Sequence, residues 1–535
     1  MTLSRPASGR GGRFAVLGIG LLVCAGCASL PKTHTCTPSS ALAETADSTT
    51  LGRVVARRMA ELDAPSGINL MPDGPDAFLA RLTLVDLAER SLDLQYYIWH
   101  DDTVGRLLLG AVVRAADRGV RVRLLIDDVG AAPDDRTLLV LDAHPNIEVR
   151  LFNPISTRSA KALWMISDFS RVNRRMHNKS ITADNQITIV GGRNIGDEYF
   201  EASAVMNYGD LDALAIGAAA AAVSARFDRY WNSPIVYAIT ELRHDSPAVG
   251  DLERGAAALR AFDQQQRDAR YAQAMRESRL SQELRDGRVS FYPARIEVTA
   301  DDPIKVERAG KDRSQDLMPQ LGPQFAAARK SVMLVSPYFV PRKGGVEFLR
   351  KLRARGVRVQ VLTNGLASAD VVPVFGKYKK YRSQLLEAGV ELYELDPDPS
   401  PDGPTGPVQT PGGRNVTDGD APRAGLHGKV LSFDCLRFFV GSMNLDPRSA
   451  FTNTEIGFLV DAPDVAARLC DGLDETFARG AFRLELAKAS NGTRHMEWVD
   501  TDKGREQRFT SEPRASRWRR FKAWIYGILP IESLM

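Results

Sequence analysis

The 535-residue sequence predicts an α/β protein of two α/β/α sandwich halves, related by a pseudo-two-fold axis, with a site where they meet. Two observations carry this prediction. The first is a repeated order of elements. "ERSLDLQYYIWHDDTVGRLLLGAVVRAADRGVRVRLLIDD" (Glu89 to Asp128) and "RKSVMLVSPYFVPRKGGVEFLRKLRARGVRVQVLTN" (Arg329 to Asn364) each give a β-rich apolar run, a helical pattern, the string RGVRV and another β-run. A glycine after a helix rich in Arg or Lys is a C-cap signal, and short Val/Leu/Ile runs read as buried strands. Strand, helix, strand in that order is a right-handed βαβ unit and predicts a largely parallel sheet. The second observation is a recurring spacing of polar side chains in corresponding places of the two repeats, described below. The length agrees, since one hydrophobic core rarely serves so many residues.

In chain order, Arg5, Arg10 and Arg13 precede the apolar run "FAVLGIGLLVCAGC", which is too short to span a bilayer and reads as a signal peptide over 1–26. Its end resembles a bacterial lipobox, with Cys24 where that motif has leucine, so Cys27 is the expected lipidated residue. Small and polar residues then predict a flexible tether over 27–65. The first domain is expected over 66–245 and a helical linker over 246–312, where "LERGAAALRAFDQQQRDARYAQAMRESRLSQELRD" is helical in composition. The second domain is expected over 313–490. Within it, 396–425 is dense in Pro, Gly and Asp and is predicted to be disordered. Residues 491–535 form a basic aromatic tail, where arginines and Lys522 interleave with Trp518, Phe521 and Trp524. That mixture suits an interfacial helix on anionic lipid.

Composition narrows the function. A formal net charge of +4 is weaker than the basic bias of a dedicated nucleic-acid binder. Beyond the lipobox, Cys36, Cys435 and Cys470 are read as idle thiols, neither a disulfide framework nor a zinc site. No HExxH motif or acidic cluster is present, so no metal and no cofactor are expected.

The chemistry lies in "MHNKSITADNQITIVGGRN" and "LHGKVLSFDCLRFFVGSMN". His177, Lys179 and Asp184 have the same spacing as His427, Lys429 and Asp434. Gly191, Gly192 and Asn194 match Gly441, Ser442 and Asn444. Residues i and i+2 of a strand face the same way, so each histidine shares a face with its lysine. The aspartates fall in or just past hairpin turns, where a structural role through backbone bonds is expected. Glycines followed by asparagine let backbone N–H groups and an amide approach an anion. Joined across the axis, two lysines and two asparagines make a cradle for a phosphate. One histidine can then attack phosphorus and the other can protonate the leaving oxygen, two roles that need opposite protonation states.

The paired H-x-K-x-x-x-x-D with G-[GS]-x-N resembles the phospholipase D superfamily over nearly the whole chain after the tether. "SLDLQYYIWHDDTVGRLLL", "DFSRVNRRMHNKS", "GGRNIGDEYF" and the ending "LPIESLM" are most similar to bacterial cardiolipin synthases of the C type. The resemblance implies transphosphatidylation to phosphatidylglycerol, with phosphatidylethanolamine as a further candidate substrate. It implies His177 as nucleophile and His427 as general acid and base. It also implies a carboxylate behind each histidine: Glu455 in the second half and, by position matching, Asp212 in the first, with Asp210 as nearest rival. The rival functions are a phospholipase D that passes the phosphatidyl group to water, a secreted nuclease of the same superfamily, and a non-catalytic lipid-binding scaffold. The expected location is exported and membrane-associated, with the lipid anchor facing the periplasm. Ala28 and Ser29 lack the aspartate that retains lipoproteins at the inner membrane, which leaves the membrane open.

Overall fold

The computed structural model describes residues 30–31, 36–41, 48–130, 134–156, 158, 169–243, 245–286, 288–307, 313–398, 408, 423–490, 492–500 and 506–529. The expected signal peptide and Cys27 lie outside them, as does most of the 396–425 insertion.

The first half contains β1 (Ser66–Met71), β2 (Ser91–Tyr96), β3 (Arg121–Asp127), β4 (Ile147–Phe152), β5 (Ser180–Ala183), β6 (Ile187–Gly191), β7 (Met206–Gly209), β8 (Asp212–Gly217) and β9 (Val236–Ala238). The remainder contains β10 (Tyr292–Ala300), β11 (Ser331–Val335), β12 (Arg358–Asn364), β13 (Glu391–Leu395), β14 (Arg423–Leu426), β15 (Val430–Phe433), β16 (Arg437–Gly441), β17 (Ile456–Asp461), β18 (Ala481–Lys488), β19 (Arg494–Asp500) and β20 (Gln507–Phe509).

Eighteen of these strands form one sheet among the described residues. Its spatial order is β9-β4-β3-β2-β5-β6-β8-β1-β10-β17-β16-β15-β11-β12-β13-β18-β19-β20. The order β4-β3-β2-β5-β6-β8-β1 is repeated as β13-β12-β11-β15-β16-β17-β10, and the β1–β10 pair lies on the pseudo-axis. Within this sheet only β2–β3–β4 and β11–β12–β13 are parallel. The prediction of a largely parallel sheet is therefore corrected. The βαβ rule holds for the strands joined by helices, while the motif hairpins β5–β6 and β15–β16 pair antiparallel beside them.

The RGVRV strings act alike in both halves. Helices Thr103–Asp117 and Arg342–Ala354 end at Gly119 (φ +94°) and Gly356 (φ +85°), where a left-handed residue is needed to leave the helix. Arg118 donates to the carbonyls of Val85, Asp86 and Ala88, and Arg355 to those of Phe325, Ala326 and Ala328. Each arginine thus satisfies carbonyls at the C-terminal end of the preceding helix.

Three sequence expectations need revision. The 27–65 tether contains helix Thr50–Glu61, capped by the Thr49 hydroxyl, with Leu51 and Val55 buried on its apolar face. Within it Arg123 and Arg150 also hold the carbonyls of Ser39 and Thr37. The 246–312 linker carries helices Asp251–Gln266, Arg270–Glu277 and Arg279–Arg285, but then supplies β10, which joins the sheets of the two halves. At the end of the 396–425 insertion, β14 pairs parallel with β7 of the first half. The cysteine expectation is also corrected. Cys435 and Cys470 form a disulfide with Cα atoms 5.9 Å apart, tying the β15–β16 turn to helix Pro463–Arg479. Their sequence separation of 35 gave no local sign of it. Cys36 is free.

Candidate active site at the junction of the halves

Each histidine is delivered to the opposite half by main-chain bonds. His177 N donates to Thr454 O and His427 N to Gly209 O, each at 2.8 Å. Thr454 N returns a bond to Arg175 O, and Gly428 N adds one to Gly209 O. The side chains cross in the same way. His177 Nδ1 lies 2.8 Å from Glu455 Oε2 and 3.1 Å from the Ser442 carbonyl. His427 Nδ1 lies 2.6 Å from Asp210 Oδ2. A carboxylate at Nδ1 fixes the tautomer that leaves Nε2 as the ring's lone-pair nitrogen.

Asp212 does not take the place expected for it. It is fully buried, accepts from Arg81 at 2.8 Å and lies 3.4 Å from Arg193. Register explains the correction. Asp212 pairs with Gly191 in β6–β8, and its counterpart Gly457 pairs with Gly441 in β16–β17. The counterpart of Glu455 is therefore Asp210, two residues earlier. Gly192 makes room for it: a Cβ there would lie 2.1 Å from Asp210 Oδ1. At the matching position Ser442 instead donates its hydroxyl to Glu455 at 2.5 Å.

Burial dominates the electrostatics. His177 is 7% and His427 5% exposed. Burial, resisted by Glu455 and reinforced by Lys179 and Lys429, brings the His177 pKa down to about 4. Burial and Lys429 bring His427 down to about 3 against the pull of Asp210. Both rings are therefore neutral at pH 7 in the free protein, rather than in the opposite states the reaction needs. Glu455 and Asp210 are held below the usual carboxylate range: burial works upward, and the facing histidine and lysines outweigh it. Burial lowers Lys429 to about 8 and Lys179 well below its ordinary value. Each lysine's charge acts on the other half's histidine, so the two motifs share one site. Lys179 Nζ donates to His177 O at 2.6 Å and stands 5.2 Å from the Tyr97 ring; Lys429 Nζ reaches His427 O.

The motif aspartates lie apart from this cluster, where they organise turns. Asp184 accepts from the backbone N–H groups of Glu89, Arg90 and Ser91, and Asp434 from those of Arg329, Lys330 and Ser331. Both occupy positive φ, with Asn185 and Cys435 following at positive φ, in the three-residue turns that join the hairpin strands. Asn194 is buried and accepts from Ile98 N at 3.3 Å. Asn444 is also buried, and neither its Oδ1 nor Glu455 Oε1 has a hydrogen-bond partner among the described residues.

Sequence reasoning named none of the aromatic walls. Tyr97 packs on His177 with ring centroids 5.1 Å apart, and Tyr199 and Tyr208 pack on His427 at 5.0 and 5.5 Å. Nothing in the motif spacing marks these rings, since the topology alone brings them in. Among the described residues, His100, Asp102 and Glu198 have ligand atoms within 4.8 Å of one another. Asp102 already accepts from Gly105 N and Asp197 N, so this cluster organises a loop.

Comparison with known proteins agrees with this geometry. Residues 82–231 and 321–477 match the family described as "Cardiolipin synthase, PLD-like domain". The chain is 40% identical to cardiolipin synthase C of Escherichia coli K12 over 461 residues, which is 86% of this chain and 94% of that one. It is 25% identical to a cardiolipin synthase of Staphylococcus aureus over 449 residues, 83% of this chain and 73% of that one. In fold it is similar to the phosphatidylserine synthase of Haemophilus influenzae Rd KW20, with a TM-score of 0.50, 15% identity and coverage of 80% of this chain and 91% of that one.

Proposed function

Since the chain belongs to the cardiolipin synthase family of phospholipase D-like proteins, we propose that it moves a phosphatidyl group from one phospholipid to a headgroup hydroxyl of phosphatidylglycerol, giving cardiolipin. The observation that carries this reading is the crossed pair of buried imidazoles, each backed by a carboxylate of the opposite half.

In the reaction, His177 Nε2 attacks phosphorus, a P–N bond forms and the P–O bond to the leaving alcohol breaks. His427 gives that oxygen a proton. The acceptor hydroxyl next loses its proton to His427 Nε2 and attacks phosphorus, and the P–N bond breaks. A bound phosphodiester supplies the anion that the free site lacks. Its charge offsets Lys179 and Lys429, the groups that help hold His427 neutral, and so raises the His427 pKa toward the value an acid needs. The lysines stabilise charge on the transferring group. The unpartnered Asn444 Oδ1 is an acceptor that a glycerol hydroxyl can satisfy. Tyr97, Tyr199 and Tyr208 restrict water around the histidines, which favours transfer to an alcohol over hydrolysis.

The membrane is the proposed workplace. No helix of the described residues is long and apolar enough to cross it. Helix Arg517–Ile528 instead leaves Trp518, Phe521, Trp524 and Ile528 exposed in a basic stretch. Export agrees with the Cys435–Cys470 disulfide, which an oxidising compartment preserves. Lipidation of Cys27 would add the anchor.

The test supplies purified protein with vesicles containing labelled phosphatidylglycerol and follows products by lipid mass spectrometry. Labelled cardiolipin is expected, and His177→Asn and His427→Asn should each abolish it. Phosphatidic acid as the main product with abundant phosphatidylglycerol would replace this reading with a hydrolase.

A further inference from the structure

An apolar cavity of about 610 Å³ opens in the second half. Phe339, Leu445 and Ala450 line it, and Phe348 and Phe451 flank it at 43% and 48% exposure. This volume is within the roughly 300–1,000 Å³ of sites that hold small ligands. The duplicated fold treats the equivalent surface of the first half differently. There helix Asp251–Gln266 covers helix Thr103–Asp117, with Leu259 and Phe262 packed on the core. On helix Arg342–Ala354, Phe348 remains exposed to solvent.

The lining approaches the proposed phosphoryl site along the chain and through one charge. Asn444 is one residue from Leu445 and two from Asp446, and both of these line the cavity. Two residues of backbone span at most about 7 Å. The Asp446 charge acts on Lys429, and Asp446 itself is turned to cap helix Pro447–Phe451 through Ser449 N. Arg313 and Arg342 stand on the lining, and the Arg313 guanidinium lies 4.6 Å above the Phe451 ring. The lining is thus mainly apolar, carries Arg313 and Arg342 together with Asp316 and Asp446, and lies within two residues of Asn444 along the chain. A phospholipid has the same layout, since its acyl chains begin a few bonds from phosphorus.

We propose that this cavity binds an acyl chain of the phospholipid whose phosphate lies between the histidines. The proposal rests on the phosphatidyl-transfer reading for its orientation, and it can be tested apart from turnover. Two variants probe it. Phe348→Glu places a charge on a side chain that is already exposed, and Ala450→Trp fills the cavity. Phe521→Glu, on the C-terminal helix, is the control for general lipid adhesion. Full-length protein is titrated with a phosphatidylglycerol carrying a fluorescent polyene acyl chain, below its aggregation concentration.

Both cavity variants should weaken this binding at least tenfold, and the control should not. In turnover, both should raise KM for dioleoyl-phosphatidylglycerol while leaving the rate on the dihexanoyl lipid at the wild-type level. Wild-type affinity in both cavity variants, or an equal loss in the control, would overturn the proposal. Selective loss of binding in the cavity variants of a protein that makes no cardiolipin would keep the cavity assignment and remove the transfer reading. Cardiolipin formation with unchanged KM for the long-chain lipid in both variants would do the reverse.

Discussion

Asp210 and Asp212 stand two residues apart beside β8, and the difference between them shows what a strand register decides. Position matching after the asparagine favoured Asp212, whereas the fold puts Asp210 on His427 and Asp212 against Arg81 and Arg193. No local string separates the two carboxylates; the discriminating fact is the Gly191–Asp212 pairing, which needs three dimensions. The two histidines and lysines, by contrast, were legible because their spacing recurs. The account predicts different losses for the two carboxylates. Asp210→Asn should lower kcat by a factor on the order of 10²–10⁴ with a small change in melting temperature, as expected when a histidine loses the group fixing its tautomer. Asp212→Asn leaves buried guanidinium charge uncompensated and should cost roughly 3–5 kcal/mol of stability, read from denaturant titration. The histidines set a pH dependence as well. Their folded pKa values of about 4 and 3 lie below the ordinary imidazole value of 6.5, so the unfolded chain binds more protons in the window between. Stability then rises with pH across that window, and it is lost as pH falls from 6.5 toward about 3. His177→Asn should flatten part of that slope in thermal melts at stepped pH, and an unchanged slope would contradict the buried neutral imidazole.

At the scale of elements, the helices and strands around RGVRV were readable from periodicity and the C-cap glycines. β10 was not, because its residues follow a long helical composition and the strand exists only as a bridge between two sheets. β14 was hidden by the proline-rich composition before it, and its partner β7 is remote in sequence. Asp184 belongs to this scale, since it holds the start of β2 to the end of β5 through three backbone N–H groups. Asp184→Ala should destabilise by roughly 1–3 kcal/mol, because three backbone donors, the Ser91 N–H among them buried, lose their acceptor. Its activity per folded molecule should change far less than that of a histidine variant. Helix Arg517–Ile528 makes a second testable element. It is fastened to the second half through Ala523, packed where Gly376 and Gly527 allow close approach, and through Arg519 to the carbonyls of Leu366 and Ala369. Its opposite side presents Trp518, Phe521 and Trp524 as a stacked row. Replacing Trp518 and Trp524 by Ser should reduce sedimentation with anionic vesicles and lower cardiolipin formation on them, while activity in detergent stays near wild type. Unchanged vesicle binding would make the helix a packing element alone.

For the molecule as a whole, the duplication explains why the site forms only between halves. Each half supplies a histidine to one Nδ1 pair and the carboxylate to the other, and β1–β10 and β7–β14 hold the exchange in register. The symmetry is broken at the surface, where the helical linker covers one half and leaves an apolar cavity on the other. The central claim is that His177 carries the phosphatidyl group. Its most direct test uses His427→Ala with a phosphatidyl donor whose leaving group is p-nitrophenol, which departs without an acid. The account predicts one burst of p-nitrophenol per protein chain and a phosphatidyl adduct that peptide mass spectrometry places on His177. An adduct on His427 in the wild-type protein, or an undiminished burst from His177→Asn, would contradict it.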